Sequence, residues 1–325
     1  MRGSLLFLFG LACLGLALSC TTVRVEKQPQ SKGVRSVSEG VRSVAVTAAG
    51  KGPAFARDFP DPSVLTAGGR YFAFATQTPW EKPGRVFPIL ASGDLMTWSY
   101  VADVFAAAPA WGRGDWWAPS VVARGGDYFL YYSGYARSGM HCVAVATASA
   151  PAGPYTDHGP ITCGNGASAV GYIDAWPLVT GDHAYLYFSV DGPDHHSISV
   201  LPLSADMLHV AGARTELVDV TQDWERLGHG TVEGPSVFAW GSRFVLLYSG
   251  GDWREQYGMG YAVSASPLGP FVKSTTPLLS GGAGLAGPGG GSFFLDTSGR
   301  PWLVYHAWRD GGRQLYLSPL SITPV

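Results

Sequence analysis

Apolar and polar positions recur along this chain with a long period. Five times, an apolar run ends in a turn holding Gly or Asp and is answered by a second apolar run rich in Tyr, Phe and Val. Ser63 opens one copy, S-V-L-T-A-G-G-R-Y-F-A-F-A-T, and Ser120 another, S-V-V-A-R-G-G-D-Y-F-L-Y-Y-S-G. Leu178 sits in the third, P-L-V-T-G-D-H-A-Y-L-Y-F-S-V. Ser236 opens the fourth, S-V-F-A-W-G-S-R-F-V-L-L-Y-S-G, and Ser292 the last, S-F-F-L-D-T-S-G-R-P-W-L-V-Y-H-A-W. The steps between these markers are 57, 58, 58 and 56 residues. Two apolar runs around a tight turn are the signature of a β-hairpin. Each unit has room for about four short strands and cannot bury both faces alone. The pattern therefore predicts an all-β fold, a five-bladed β-propeller in a single domain over 54–325. An open solenoid or a pair of sandwiches is the alternative, but the even spacing without capping repeats favours a closed ring. Blade one is expected from about Phe59 to Val104, blade two from W-W-A-P-S-V, blade three from Y-I-D-A-W, blade four from V-E-G-P-S and blade five from about Gly287.

The ends of the chain and its charge change the picture outside the ring. Arg2 followed by the apolar run Leu5–Leu18 has the make-up of a signal peptide, too short for a stable membrane span. That run closes in A-L-S-C, which resembles a bacterial lipoprotein lipobox. Residues 1–20 are read as the signal and Cys20 as the lipidated residue, with plain secretion as the alternative. Either route places the domain outside the cytoplasm, with contact to a membrane only through the anchor. Residues 21–53 are polar and short of aromatics, and read as a flexible linker. With 14% charged residues and a formal net charge of -2, there is no electrostatic case for a nucleic-acid partner. A monomer is expected.

Of the 4 cysteines, Cys13 leaves with the signal. Cys142 and Cys163 lie symmetrically about Ala152–Gly153, the centre of a P-A-G-P turn. A hairpin there sets them opposite each other, where a disulfide forms in an oxidising compartment; two free thiols are the other reading. No Cys/His spacing suits zinc.

Three units carry an acid just before the strand that would face the propeller axis: Asp61 two residues before Ser63, Asp174 four before Leu178, and Glu233 three before Ser236. Blades two and five have W-W-A-P and G-P-G-G-G there. One acid before proline commonly starts a turn. Three acids converging on one rim repel each other and lose solvation, a cost retained where a site needs both an ionised and a protonated carboxyl group.

The segments D-P-S-V, Y-I-D-A-W and V-E-G-P-S, with W-A-P-S-V before blade two and Y-H-A-W near the end, resemble glycoside hydrolase family 43 over Phe55–Val325. The resemblance implies a five-bladed propeller acting by inversion on arabinose- and xylose-containing glycans of plant cell walls, such as arabinan and arabinoxylan. Asp61 would be the general base, Glu233 the general acid, and Asp174 the residue that raises the pKa of Glu233 and orients it. In such a mechanism the two reacting carboxyls stand about 6.5–9.5 Å apart. No cofactor would be required for the chemistry. The counterpart of His306 lies on the axis near a bound ion, such as calcium, or an ordered water; a hydrogen-bonded core histidine is the plainer reading. Arg313 would reach the cavity to hold a sugar hydroxyl or Asp174, or else sit exposed on its hairpin. Trp116 and Trp117 would be sugar platforms at the rim of blade two.

Relatives often carry P-G-H where this chain reads G-P-G-G-G-S, which leaves subfamily and linkage open. An α-L-arabinofuranosidase working from chain ends is favoured over a β-xylosidase or an endo-1,5-arabinanase. A retaining enzyme on sucrose-type substrates would show R-D-P and E-C segments, absent here. A sugar-binding propeller without catalysis would repeat its ligand residues in every blade.

Overall fold

In the computed structural model, residues 40–47, 52–80, 85–282 and 284–324 are described. Strands β1 (Val41–Val46) and β2 (Phe55–Asp58) come first. Blade one is β3 (Ser63–Ala67), β4 (Arg70–Phe74), β5 (Pro88–Ser92) and β6 (Ser99–Asp103); blade two is β7 (Trp117–Arg124), β8 (Asp127–Tyr135), β9 (His141–Ala148) and β10 (Thr156–Cys163). Blade three is β11 (Gly171–Thr180), β12 (His183–Asp191), β13 (His196–Leu203) and β14 (Thr215–Asp219). Blade four is β15 (Val232–Trp240), β16 (Arg243–Gly251), β17 (Tyr257–Ser264) and β18 (Val272–Lys273). Blade five holds β19 (Ala286–Leu295), β20 (Pro301–Arg309) and β21 (Gly312–Pro324).

Each sheet is antiparallel. The hairpin at Gly68–Gly69 shows why the repeats turn where they do. Both glycines are left-handed, φ 56° and 73°, as a two-residue hairpin loop matching strand twist requires.

The innermost strands β3, β7, β11, β15 and β19 touch one another in sequence, and β19 touches β3, which closes the ring. Between every two neighbouring blades lies one apolar cluster. Phe87, Leu130 and Tyr132 belong to blades one and two, Tyr131, Val145 and Phe188 to two and three, and Tyr187, Val200 and Val237 to three and four. Leu247, Met259 and Tyr305 join blades four and five, while Val64, Phe294 and Val304 join five to one. The core is thus five sheet-on-sheet layers rather than one central mass.

The structure departs from the sequence reading in three places. Val41–Val46, within the stretch read as linker, is the outer strand of blade five, antiparallel to β21. Its alternation V-R-S-V-A-V buries Val44 against Phe238, Tyr316 and Leu320. Blade five is thus closed by a strand from the opposite end of the chain. Second, the repeat marker in blade three is Trp176, not Leu178. Bulges end at Ser120, Trp176, Ser236 and Ser292 in the four inner strands that carry one. Asp174 therefore stands two residues before its marker, as Asp61 does. Third, Trp116 is a core residue and not a platform, as described below. The signal read at 1–20, lipidation at Cys20 and the start of the linker lie outside the described residues. Cys142 and Cys163 are paired across β9 and β10 and joined by a disulfide.

Candidate active site

Asp61, Ala118, Asp174, Gly234 and Gly290 all have φ between 44° and 62°. They occupy the same place in the five blades, at the mouth of the axial channel. In the left-handed conformation an L-residue is strained by roughly 1 kcal/mol or more, so something must hold it. A ring of side chains from the ends of the second strands does so. Thr76 Oγ1 accepts the N–H of Ala118 (2.8 Å), and Ser133 Oγ that of Asp174 (2.8 Å). Ser189 Oγ accepts from Gly234 (3.0 Å), and Ser249 Oγ from Gly290 (2.9 Å). The fifth member is His306, whose Nδ1 accepts the N–H of Asp61 at 3.1 Å. Four hydroxyls and one imidazole thus tie each blade to the next and fix the two aspartates.

The ring also shapes the carboxyls. Asp61 Oδ2 accepts from Thr76 Oγ1 (2.6 Å) and faces Arg313 at 3.5 Å. Asp174 Oδ2 accepts from Ser189 Oγ (3.0 Å) and from the N–H of Gly234 (3.1 Å), the residue after Glu233. Glu233 lies one position before its blade's left-handed residue, and its Oε1 accepts from the Tyr257 hydroxyl at 2.6 Å. All three acids open on one cavity of about 250 Å³, walled by Trp117, Ile173, Trp253, Tyr257 and Arg313.

Protein encloses Glu233 and Asp174 on their other sides, and this loss of solvation dominates their titration. The Glu233 carboxyl is pushed up to about 7, first by burial and then by the charges of Asp191 and Asp61, while Tyr257 and Arg313 pull it down. Asp174 is raised well above the usual carboxyl range, by burial first and then by Glu233 and Asp61. Burial and the three acids also raise Tyr257, so its hydroxyl keeps its proton and donates. The cavity therefore holds a carboxylic acid that keeps its proton near neutrality beside an aspartate dressed with two donors.

His306 is fully buried, and burial lowers its pKa to about 3, so the ring is neutral. Because Nδ1 accepts from Asp61, the proton sits on Nε2, which has no partner among the described residues. At this buried nitrogen the histidine thus offers a donor, suited to water, rather than a lone pair. Calcium takes oxygen ligands, and among the described residues no group of three His, Cys, Asp or Glu is arranged to hold a metal. The residues present do not fit the axial ion that the family resemblance implies.

Trp117 lines the cavity. Its neighbour Trp116 is 4% exposed and packs edge-on against Trp111 at 5.2 Å, over Gly112 and Gly134. Successive residues of an extended chain point to opposite faces, so only one of the pair can reach the cavity. Arg313 does reach it, held beside Asp61 rather than Asp174, with its guanidinium over Trp253 at 5.4 Å. Sequence reasoning missed Tyr257, Trp253, Ile173 and Thr76. Trp253 lies in the connection after β16 and Tyr257 opens β17, in a segment W-R-E-Q-Y that carries no repeat signal. The ring hydroxyls did carry one, since Thr76, Ser133, Ser189 and Ser249 end the second apolar run of their repeats.

The chain is similar to known proteins along most of its length. It is 29% identical over 272 residues to a beta-D-galactofuranosidase of Aspergillus niger, covering 78% of this chain and 75% of that one. An extracellular exo-alpha-(1->5)-L-arabinofuranosidase of Streptomyces avermitilis is 26% identical over 205 residues, 58% of this chain and 42% of the other. Among solved structures, an endo-1,4-beta-xylanase from Bacteroides thetaiotaomicron superposes with a TM-score of 0.71 at 27% identity, covering 86% of this chain and 97% of that one. Residues 51–324 match the sequence model of Glycosyl hydrolases family 43, and the chain belongs to that family.

Proposed function

We propose that the protein is an inverting glycosidase of pentose-containing cell-wall glycans, and that its activity is that of an α-L-arabinofuranosidase. The observation that carries this reading is the division of labour among carboxyls in one cavity. Asp61 is surrounded by donors, and Glu233 holds a proton to about 7. A glycosidase needs one carboxyl of each kind. In the proposed step Asp61 takes a proton from water as the water oxygen bonds to the anomeric carbon. The glycosidic C–O bond breaks, and the Glu233 proton passes to the departing oxygen. Both carboxyls then return to their starting forms by exchange with solvent. Asp174 positions Glu233 through the N–H of Gly234. Trp117 and Arg313 bind the sugar.

Two relatives are named for furanoside substrates, one for arabinofuranose and one for galactofuranose, which supports a five-membered sugar ring in the cavity. The second of these is named as extracellular, in keeping with a secreted or lipid-anchored enzyme. A β-xylosidase or endo-1,5-arabinanase is the second reading, and the xylanase named among the solved structures favours keeping it.

A panel of nitrophenyl α-L-arabinofuranoside, β-D-xylopyranoside and β-D-galactofuranoside tests the proposal, with Asp61→Asn alongside. The arabinofuranoside is expected to turn over fastest. Asp61→Asn is expected to abolish turnover even with this good leaving group, because water attack is still required. A wild-type protein inert toward all three, or a folded Asp61→Asn variant that stays active, would overturn the reading.

A further inference from the structure

We infer that His141 is a positioning residue for the sugar platform Trp117, held in place by Asp115 and by the disulfide next to it. The inference rests on the reading of the cavity as a sugar site and adds a residue to it. The imidazole of His141 stacks on the Trp117 indole, with ring centroids 4.8 Å apart and planes at 27°. One indole face is therefore covered, and Trp117 meets the cavity with what remains.

The imidazole is itself held on three further sides. Its Nε2 lies 3.1 Å from Asp115 Oδ2. The ring of Tyr135 meets it edge-on at 4.8 Å. The backbone of Gly171 closes on it, where a Cβ would fall 3.0 Å from His141 Cβ and 3.2 Å from Nδ1. Only 16% of the His141 side chain is exposed.

The backbone beneath is equally constrained. His141 opens β9, and the next residue, Cys142, is bonded to Cys163 directly opposite. The N–H of Gly164 donates to the His141 carbonyl at 3.1 Å. Asp115 and Trp117 both reach His141, one by a hydrogen bond and one by ring stacking, while Trp116 between them turns into the core. The D-W-W segment thus supplies both the platform and the carboxylate that anchors its backing ring. His141 does not line the cavity, so it acts on the sugar only through Trp117.

A platform that contacts the sugar equally in the ground and transition states sets affinity and leaves the chemical step alone. The test compares two variants on nitrophenyl α-L-arabinofuranoside. His141→Gln keeps a donor for Asp115 but loses the ring; His141→Phe keeps the ring and loses the donor. His141→Gln is expected to raise KM by about 2- to 12-fold, the worth of one ring–ring contact, with kcat little changed. His141→Phe is expected to recover most of that affinity. Should His141→Gln fail to fold, His141→Leu gives the same contrast. An unchanged KM in the ringless variant, a loss confined to kcat, or a phenylalanine variant as weak as glutamine would overturn the inference while the enzyme reading stands. A wild-type protein inert toward every pentoside overturns that reading, and this one with it.

Discussion

Replacing Glu233 by Gln should make the protein more stable above neutral pH, and by an amount that depends on pH. The glutamine has nearly the same shape and still accepts from the Tyr257 hydroxyl, which reaches Glu233 Oε1 at 2.6 Å. What it removes is a carboxyl raised from 4.5 to about 7, mainly by burial. Such a group binds its proton more tightly in the folded than in the unfolded chain. Its contribution is therefore fully present below about 4.5 and is lost as pH rises through about 7. In a sealed site that loss would amount to about 3 kcal/mol. Glu233 opens on the cavity, whose water screens part of it, and about 2 kcal/mol is a fairer figure. Glutamine cannot ionise and escapes the loss; it also relieves Asp174, which the Glu233 charge pushes further up. The assay is thermal unfolding of both proteins at pH 4.5 and pH 8. The variant should match the wild type at the lower pH and melt about 4 °C higher at the upper one. Equal melting at pH 8, or the same difference at both values, would refute the reasoning.

Two other substitutions probe the same cavity. Tyr257→Phe removes the donor that holds the Glu233 pKa down, so the alkaline limb of the kcat/KM profile should move from about 7 to higher pH, by about one pH unit; a limb that stays or falls would count against Glu233 as the acid. Gly290→Ala should cost about 10²-fold in kcat while the protein still folds, because its Cβ would fall 2.5 Å from Asp61 Oδ1 and 2.6 Å from His306 Cε1; near-normal turnover would mean that Asp61 tolerates displacement.

How much of this could be read from the residues follows the range of the forces involved. Hairpins are local, so five repeats of strand, turn and strand announced five sheets, and symmetry about one turn announced the Cys142–Cys163 pair. The acids were visible because each precedes a repeat marker. The strand Val41–Val46 was not, since its partner lies at the far end of the chain and six residues without a turn leave no local signal. The shift from Leu178 to Trp176 escaped because a bulge changes register without changing hydrophobicity. Trp116 and Trp117 look alike in sequence, and only the alternation of an extended chain separates core from cavity. Tyr257 and Trp253 join the acids in the cavity from the charged connection into β17, which no period foretells. His306 was visible in Y-H-A-W, yet its part in a ring with four hydroxyls needed the five blades in place.

The central claim is that Asp61 activates water on one face of the sugar while Glu233 protonates the leaving oxygen on the other. Proton NMR of the first seconds of hydrolysis tests it most directly, with an α-L-arabinofuranoside as substrate. The account predicts that the sugar first released has the β configuration, with the α form growing in later by mutarotation. First release of the α form would mean a covalent intermediate and two displacements, and would contradict the roles assigned to both residues.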